Sequence, residues 1–292
     1  MTTFDVPRLD VLGIGNALVD VFAHHDEAFL AEHGMRKGTM ALIDADVALR
    51  LHDDLAPVSQ VAGGSAANTL AGLASLGGRG GFLGRVAGDE LGRLYVSDIT
   101  ALGVQFPVAP ATAGQPTGRC LIVLTPDAER TMNTYLGAAA EIGPDDVDEE
   151  VVAAASVVYL EAFLFSPPPA LGALTKAAEV CRRGSGKLAL SLSDPSNVER
   201  HGDALRAMLE DGVDLLFGNE DELRLLYGGT GEEALAAAEA RCPLVAMTRG
   251  PEGCVVAAGG ERVAVPAVSV ASVVDTTGAG DLFAAGFLYG VT

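Results

Sequence analysis

The chain alternates short apolar strands with helical segments for most of its length, and that rhythm restricts the fold more than any single residue does. Val11-Leu12-Gly13-Ile14-Gly15, Gly81-Phe82-Leu83, Val157-Val158-Tyr159-Leu160, Leu188-Ala189-Leu190, Leu215-Leu216-Phe217 and Leu244-Val245-Ala246-Met247 read as buried strands. Helical patterns run over 66–76, 90–102, 168–181, 204–210 and 220–227, several with Asp or Ser near the start as caps. A continuously apolar strand is covered on both faces, and strand-helix-strand order sets successive strands parallel. The expected fold class is therefore α/β, a mostly parallel central sheet flanked by helices. Hydrophobic residues make up 49% of the chain without a single Trp, which suits helices packed closely on a sheet.

Two stretches break the rhythm. Residues 17–54 hold weak strands near 19–23 and 39–43, and Gly118–Leu124 followed by a turn and Arg130–Tyr135 reads as a β-hairpin. Together they are expected to form a small β-sheet lid over the strand ends, where open α/β sheets bind ligands; a pair of ordinary edge hairpins is the alternative. The expected division is a core of 1–15, 55–115 and 137–292, with a lid of 16–54 and 116–136. The acidic run 145–150 after Pro144 is read as capping a helix that begins there.

Composition excludes several classes of function. Lys and Arg number 19 against 39 Asp and Glu, a formal charge of -20 that repels nucleic acid and anionic membranes. A polyphosphate must then be caught locally, by backbone dipoles, a few arginines and a divalent cation. Cys120, Cys181, Cys242 and Cys254 lack C-x-x-C spacing and are expected as buried free thiols. Met1–Asp10 has no secretion signal, and the longest apolar run, 151–160, is too short to span a bilayer, so a cytoplasmic protein is expected. Neither zinc-type His spacing, G-x-S-x-G nor G-x-x-x-x-G-K-[ST] occurs.

Near the C-terminal end, Val273-Val274-Asp275-Thr276-Thr277-Gly278-Ala279-Gly280-Asp281-Leu282-Phe283 passes from a β-branched run through small residues into an apolar helix. Gly278, Ala279 and Gly280 let main-chain N–H groups point outward, and the helix start adds unpaired donors and a positive dipole end, which together cradle an anion. A carboxylate there repels a bound anion, so Asp281 is either the usual acidic complement to a helix dipole or a base that accepts a proton from an attacking hydroxyl.

Four further segments bring polar groups to strand ends. Gly63-Gly64-Ser65-Ala66-Ala67-Asn68 runs a glycine pair into a helix with Asn68 one turn inside, a donor set for a polyol or a tightly packed helix start. Gly15-Asn16-Ala17-Leu18-Val19-Asp20 presents Asn16 and Asp20, the latter able to bridge two sugar hydroxyls. Asn219 and Glu222 lie three apart at a strand-helix junction, as an N-cap with its reciprocal acid or as oxygen ligands for hydrated Mg2+. Thr248-Arg249-Gly250-Pro251-Glu252-Gly253 reads as a hairpin turn or a phosphate contact through Thr248.

Taken in order, Gly63–Asn68, Asn219–Glu222 and Asp275–Asp281 resemble the ribokinase/PfkB family of carbohydrate kinases, and the segments Gly15–Asp20, Arg130-Thr131-Met132 and Ser193-Asp194-Pro195 are more similar to its adenosine-kinase-like branch. The resemblance covers nearly the whole chain. It implies a ribokinase-like fold with a β-lid, ATP as donor and Mg2+ as cofactor, with a monovalent cation left open. By position it implies Asp281 as general base beside an anion hole of Gly278, Ala279 and Gly280, and an acceptor site of Asn16, Asp20, Gly63, Gly64, Asn68 and Arg130. It further implies Asn219, Thr248, Gly250, Gly253, Asp275 and Thr277 around the nucleotide, and Glu222 with Asn219 at the metal. The chain ends soon after Asp281, so a nucleotide pocket open on one side and weak ATP affinity are expected.

The expected activity is ATP-dependent phosphorylation of a primary hydroxyl on a nucleoside or a sugar of ribose, fructose or ketodeoxy type, with a homodimer through the lid as a further expectation. A catalytically silent binder of such a molecule is one rival. A nicotinamide-dependent oxidoreductase, resting only on Gly13-Ile14-Gly15, is the other.

Overall fold

The computed structural model describes residues 8–127, 129–270, 276 and 278–292. Its larger sheet is built from β1 (Leu9–Ile14), β5 (Gly80–Leu83), β8 (Ala155–Glu161), β9 (Lys187–Ser191), β10 (Leu215–Asn219), β11 (Leu244–Thr248), β12 (Cys254–Ala258) and β13 (Glu261–Val265). They lie in the order β13-β12-β11-β10-β9-β8-β1-β5, parallel from β11 to β5, with β12 and β13 as an antiparallel margin. The mostly parallel sheet expected from the strand-helix rhythm is therefore present.

Side chains alternate between two cores, as the period of two along a strand requires. Val158, Leu160, Leu188, Leu190, Leu216, Val245 and Met247 face one way, beneath α5 (Glu149–Ala153), α6 (Pro168–Arg183), α7 (Pro195–Glu210), α8 (Glu220–Tyr227) and α9 (Gly231–Glu239). Val157, Tyr159, Ala189, Leu215, Phe217 and Ala246 face the other, beneath α3 (Ser65–Ser75), α4 (Glu90–Ala101) and α10 (Ala279–Val291). Among the described residues no helix is long and apolar enough to cross a membrane. All four cysteines are buried and free.

A second sheet, in the order β3-β7-β6-β2-β4, joins β2 (Leu18–His24), β3 (Met40–Leu42), β4 (Ser59–Gly63), β6 (Gly118–Leu124) and β7 (Arg130–Tyr135). Val19, Val21, Ala23, Leu121 and Val123 turn one face toward α1 (Glu27–Glu32) and α2 (Ala45–Leu55), packing on Leu30, Leu51 and Leu55. By register, Asp20, Phe22, Ile122, Met132 and Met40 share the opposite face. Met40, Leu42 and Val61 on that face are 41%, 57% and 40% exposed. At the edge of the sheet the Ala62 N–H donates to Asp98 Oδ2 of α4 at 3.2 Å, fastening β4 to the body of the molecule.

The acidic run caps a helix as expected, with one short turn ahead of it. Pro144–Asp146 forms a single 3-10 turn closed by the Gly143 N–H donating to Asp146, and α5 starts later, capped by Asp148. Arg85 pairs with Asp146 at 2.7 Å, so that carboxylate serves both the turn and a neighbouring guanidinium.

Candidate active site

Because β1, β8, β9, β10 and β11 run parallel, their C-terminal ends share one edge. The pairing Ile14 with Leu160, Glu161 with Ser191 and Asn219 with Thr248 sets those ends level. The N-termini of α3, α8 and α10 meet there, and the chain's polar segments converge with them.

Asp281 lies in the first turn of α10. Gly278 caps the helix at φ 71°, a left-handed conformation that glycine adopts freely, and no side chain caps it. Across the cleft the start of α3 supplies two donors to Asp281. Ser65 Oγ donates to Oδ1 at 2.7 Å and Asn68 Nδ2 to Oδ2 at 3.3 Å. Burial pushes the Asp281 carboxyl above the ordinary aspartate value, and these two hydrogen bonds pull it back. Such a carboxylate is held in one orientation and is more basic than one in water.

The acceptor-side residues gather around it. A side chain at Gly63 would lie 2.4 Å from Asp20 Oδ2, and one at Gly64 would lie 2.2 Å from the Asn16 carbonyl, so both glycines admit neighbours that any Cβ would displace. Burial pushes Asp20 up to about 7, with Arg130 opposing the shift and Asp281 adding to it. The Arg130 guanidinium lies over the Phe22 ring at 5.5 Å. Asn16, Asp20, Gly63, Gly64, Asn68 and Arg130, separated by more than a hundred positions, are thus brought to one place.

On the other side of Asp281, a cleft of about 640 Å³ is lined by Asn219, Glu222, Thr248, Gly250 and Gly280, with Ser65 and Asp281 at its end. An adjoining apolar cavity of about 360 Å³ shares Thr248, Gly250 and Gly280 with it and extends past Gly253, Val265 and Phe283. Asn219 and Glu222 form the reciprocal cap: the Glu222 N–H donates to Asn219 Oδ1 at 2.8 Å and the Asn219 N–H to Glu222 Oε2 at 2.7 Å. Thr248 to Gly253 is the hairpin turn between β11 and β12. Ala279 also borders the smaller cavity. Asp275 and Thr277 fall outside the described residues.

Three residues not singled out from sequence belong here. Ser65 touches the carboxylate directly. Arg249 lines the cleft, its guanidinium 4.0 Å from Glu252, and its buried Nε has no hydrogen-bond partner among the described residues. Glu161 is fully buried at the end of β8 and accepts from Asn16 and Ala66. A lone acid closing the apolar run Val157–Leu160 was the signal for it.

The chain belongs to the pfkB family of carbohydrate kinases, which it matches over residues 40–292, and it is a phosphotransferase acting on a hydroxyl group. Within that family it is of the adenosine-kinase-like branch, a nucleoside or sugar kinase. Its structure is similar to that of the adenosine kinase from Sinorhizobium meliloti, with 46% identity and a TM-score of 0.89 over 97% of this chain and 88% of that one. In sequence it is 29% identical to the adenosine kinase of Saccharomyces cerevisiae, over 96% of this chain and 87% of the other. It is 30% identical to a fructokinase of Klebsiella pneumoniae, over 80% and 77% respectively. Kinases of this family use ATP, with Mg2+ as the usual partner.

Proposed function

We propose that this chain transfers the γ-phosphoryl group of ATP to a primary hydroxyl of a nucleoside, with Asp281 receiving the hydroxyl proton. The observation that carries the reading is the position of Asp281, which lines the cleft of Asn219, Thr248 and Gly250 on one side and on the other accepts from Asn68 and lies near the buried Asp20. In-line transfer needs the attacking oxygen, the base and the phosphoryl group at one point, and that junction provides it.

The donor side fits a nucleoside triphosphate. The N-terminus of α10 offers main-chain dipoles, Arg249 brings a cation to the cleft wall, and the apolar cavity past Gly253 suits a purine ring. Magnesium also fits the donor set. Burial, with Asp194 and Asp221 nearby, pushes Glu222 up to about 7, and that surplus of negative charge suits a hard cation held beside Asn219 and Glu222. Among the described residues no group of three or more His, Cys, Asp or Glu could hold a metal ion, so Asn219 and Glu222 would hold it together with ligands from the nucleotide and solvent. Bound there, the ion neutralises charge on the phosphoryl oxygens.

Two features favour a nucleoside over a free sugar. The second sheet acts as a lid, and the face that carries Asp20 also carries Phe22, Met40, Leu42 and Met132, an apolar surface matched to a base rather than to hydroxyls. Burial and the nearby Asp281 charge help to hold both Asp20 and Glu161 above the ordinary carboxylate range, and that concentration of acids disfavours acidic sugars of the ketodeoxy type. The test is a panel of nucleosides, ribose, fructose and a ketodeoxy sugar acid with ATP and Mg2+, read as ADP release. A nucleoside is expected to give the highest kcat/KM, and a sugar matching it overturns the assignment. Sedimentation at assay concentration checks whether a second copy occupies the apolar lid face instead.

A further inference from the structure

Glu161 combines three properties that a structural acid at a strand end does not need together: it is 0% exposed, it accepts three hydrogen bonds, and all three come from the acceptor side of the site. Its Oε1 accepts from the Asn16 main-chain N–H at 2.7 Å and from Asn16 Nδ2 at 3.1 Å, while Oε2 accepts from the Ala66 N–H at 2.8 Å. Gly15 makes room for it, since a Cβ there would lie 2.5 Å from Oε2.

The bond to Ala66 has a local reason. Helix α3 begins at Gly64, which has φ 105° and no side chain to cap the first turn. Glu161 supplies that cap from a different strand, satisfying an N–H that would otherwise be buried without a partner. One residue before Ala66 is Ser65 and two after it is Asn68, the two donors to Asp281. The same carboxylate therefore holds the Asn16 amide and the turn of α3 that aims Asp281.

We propose that Glu161 is a positioning residue for the acceptor half of the reaction, fixing Asn16 and the first turn of α3 against Asp281; the inference rests on Asp281 being the proton acceptor. A merely structural acid, by contrast, would affect stability and leave the two substrates equally served. The titratable groups facing Glu161 are Asp281 on α10, Tyr95 on α4 and Tyr159 on its own strand, with Asp20 on β2 facing Tyr95 beside it. None of these is cationic. Burial and Asp281 push Glu161 up to about 7, against the pull of its three donors.

The experiment is Glu161→Gln in the full chain, with initial rates taken against acceptor and against ATP from pH 5.5 to 8.5, at roughly half-unit steps spanning the ordinary carboxylate and imidazole range. A carboxamide keeps the volume but turns an NH2 toward one of the three donors. Acceptor kcat/KM is expected to fall about 10- to 100-fold while the KM for ATP changes by less than about twofold. The acid limb of log kcat/KM for the acceptor, steep in the parent because two carboxylates must be ionised, is expected to relax toward unit slope. Equal losses for both substrates, or an unchanged acid limb, overturn the proposal. If Glu161→Gln does not fold, Gly15→Ala displaces the carboxylate with its charge retained, and an unchanged acceptor kcat/KM in that variant overturns it as well. Asp281→Asn run alongside separates the premises: activity retained there removes the proton-acceptor reading itself, whereas an inactive Asp281→Asn beside a normal Glu161→Gln removes only the role of Glu161.

Discussion

At the scale of single residues the proposed reaction assigns the proton to Asp281 and the phosphate to the cleft beside it, and each assignment has its own test. Asp281→Asn keeps the shape and the hydrogen bonds to Ser65 and Asn68 within reach but removes the basic oxygen, so turnover is expected to fall about 10²- to 10⁴-fold with acceptor affinity little changed, as read by kcat and by equilibrium binding of the acceptor. Arg249→Met removes a cation from the cleft wall. Its expected effect is a rise in the KM for ATP of about tenfold or more, with the acceptor KM unmoved in the same assay. Asp281, Asn68 and Asp20 were legible in the sequence because each sits in a short motif whose backbone geometry is local. Glu161 was not, since its partners Asn16 and Ala66 lie 145 and 95 positions away and no spacing rule connects them. Arg249 was passed over for a related reason: its turn is an ordinary hairpin, and only the cleft beside it gives the guanidinium a task.

At the scale of elements, α3 is the piece on which the site turns. Its entry through Gly64 combines φ 105° with a contact that a Cβ would make at 2.2 Å to the Asn16 carbonyl. Gly64→Ala is therefore expected to destabilise the fold by about 1–3 kcal/mol and to raise the acceptor KM, checked by denaturant unfolding and steady-state kinetics. The central strands and α8 could be read from sequence because apolar runs and a capping pair mark them plainly. Helix α7 begins at Pro195 rather than at 204, since its first turns are polar and only Asp194 and the proline announce them. Strand β4 and the β12–β13 hairpin gave little signal: β4 alternates weakly and β13 is exposed throughout, so neither carries the apolar run of a central strand. Helix α9, rich in Ala and Glu, has side chains too small to show a marked periodic contrast.

At the scale of the whole molecule, the buried acids couple function to stability in opposite directions. Asp20, Glu161 and Glu222 are each held up at about 7, against roughly 4 in an unfolded chain, so the folded state binds more protons. The stability they contribute is complete below their unfolded values and is lost as pH rises through 7. His52 and His201, held below the ordinary imidazole value by burial, act in the other sense, and their contribution is lost as pH falls below about 6.5. Calorimetry is therefore expected to show Tm falling between about pH 6.5 and 8, while kcat/KM rises over the same interval as the carboxylates ionise. A Tm that climbs across that range contradicts the assignment of these groups. The overall α/β architecture and the second sheet were legible because hydrophobic rhythm is a property of the whole chain, whereas the strand order of that second sheet, which joins β2 to β6 and β3 to β7 across about 100 positions, arises only from folding. The residues proposed for the acceptor come from positions 16–130 and the cleft proposed for the nucleotide, Ser65 apart, from positions 191–284, and the two adjoin at Asp281. A lineage divided in this way can exchange what it phosphorylates largely through positions that lie outside the nucleotide cleft.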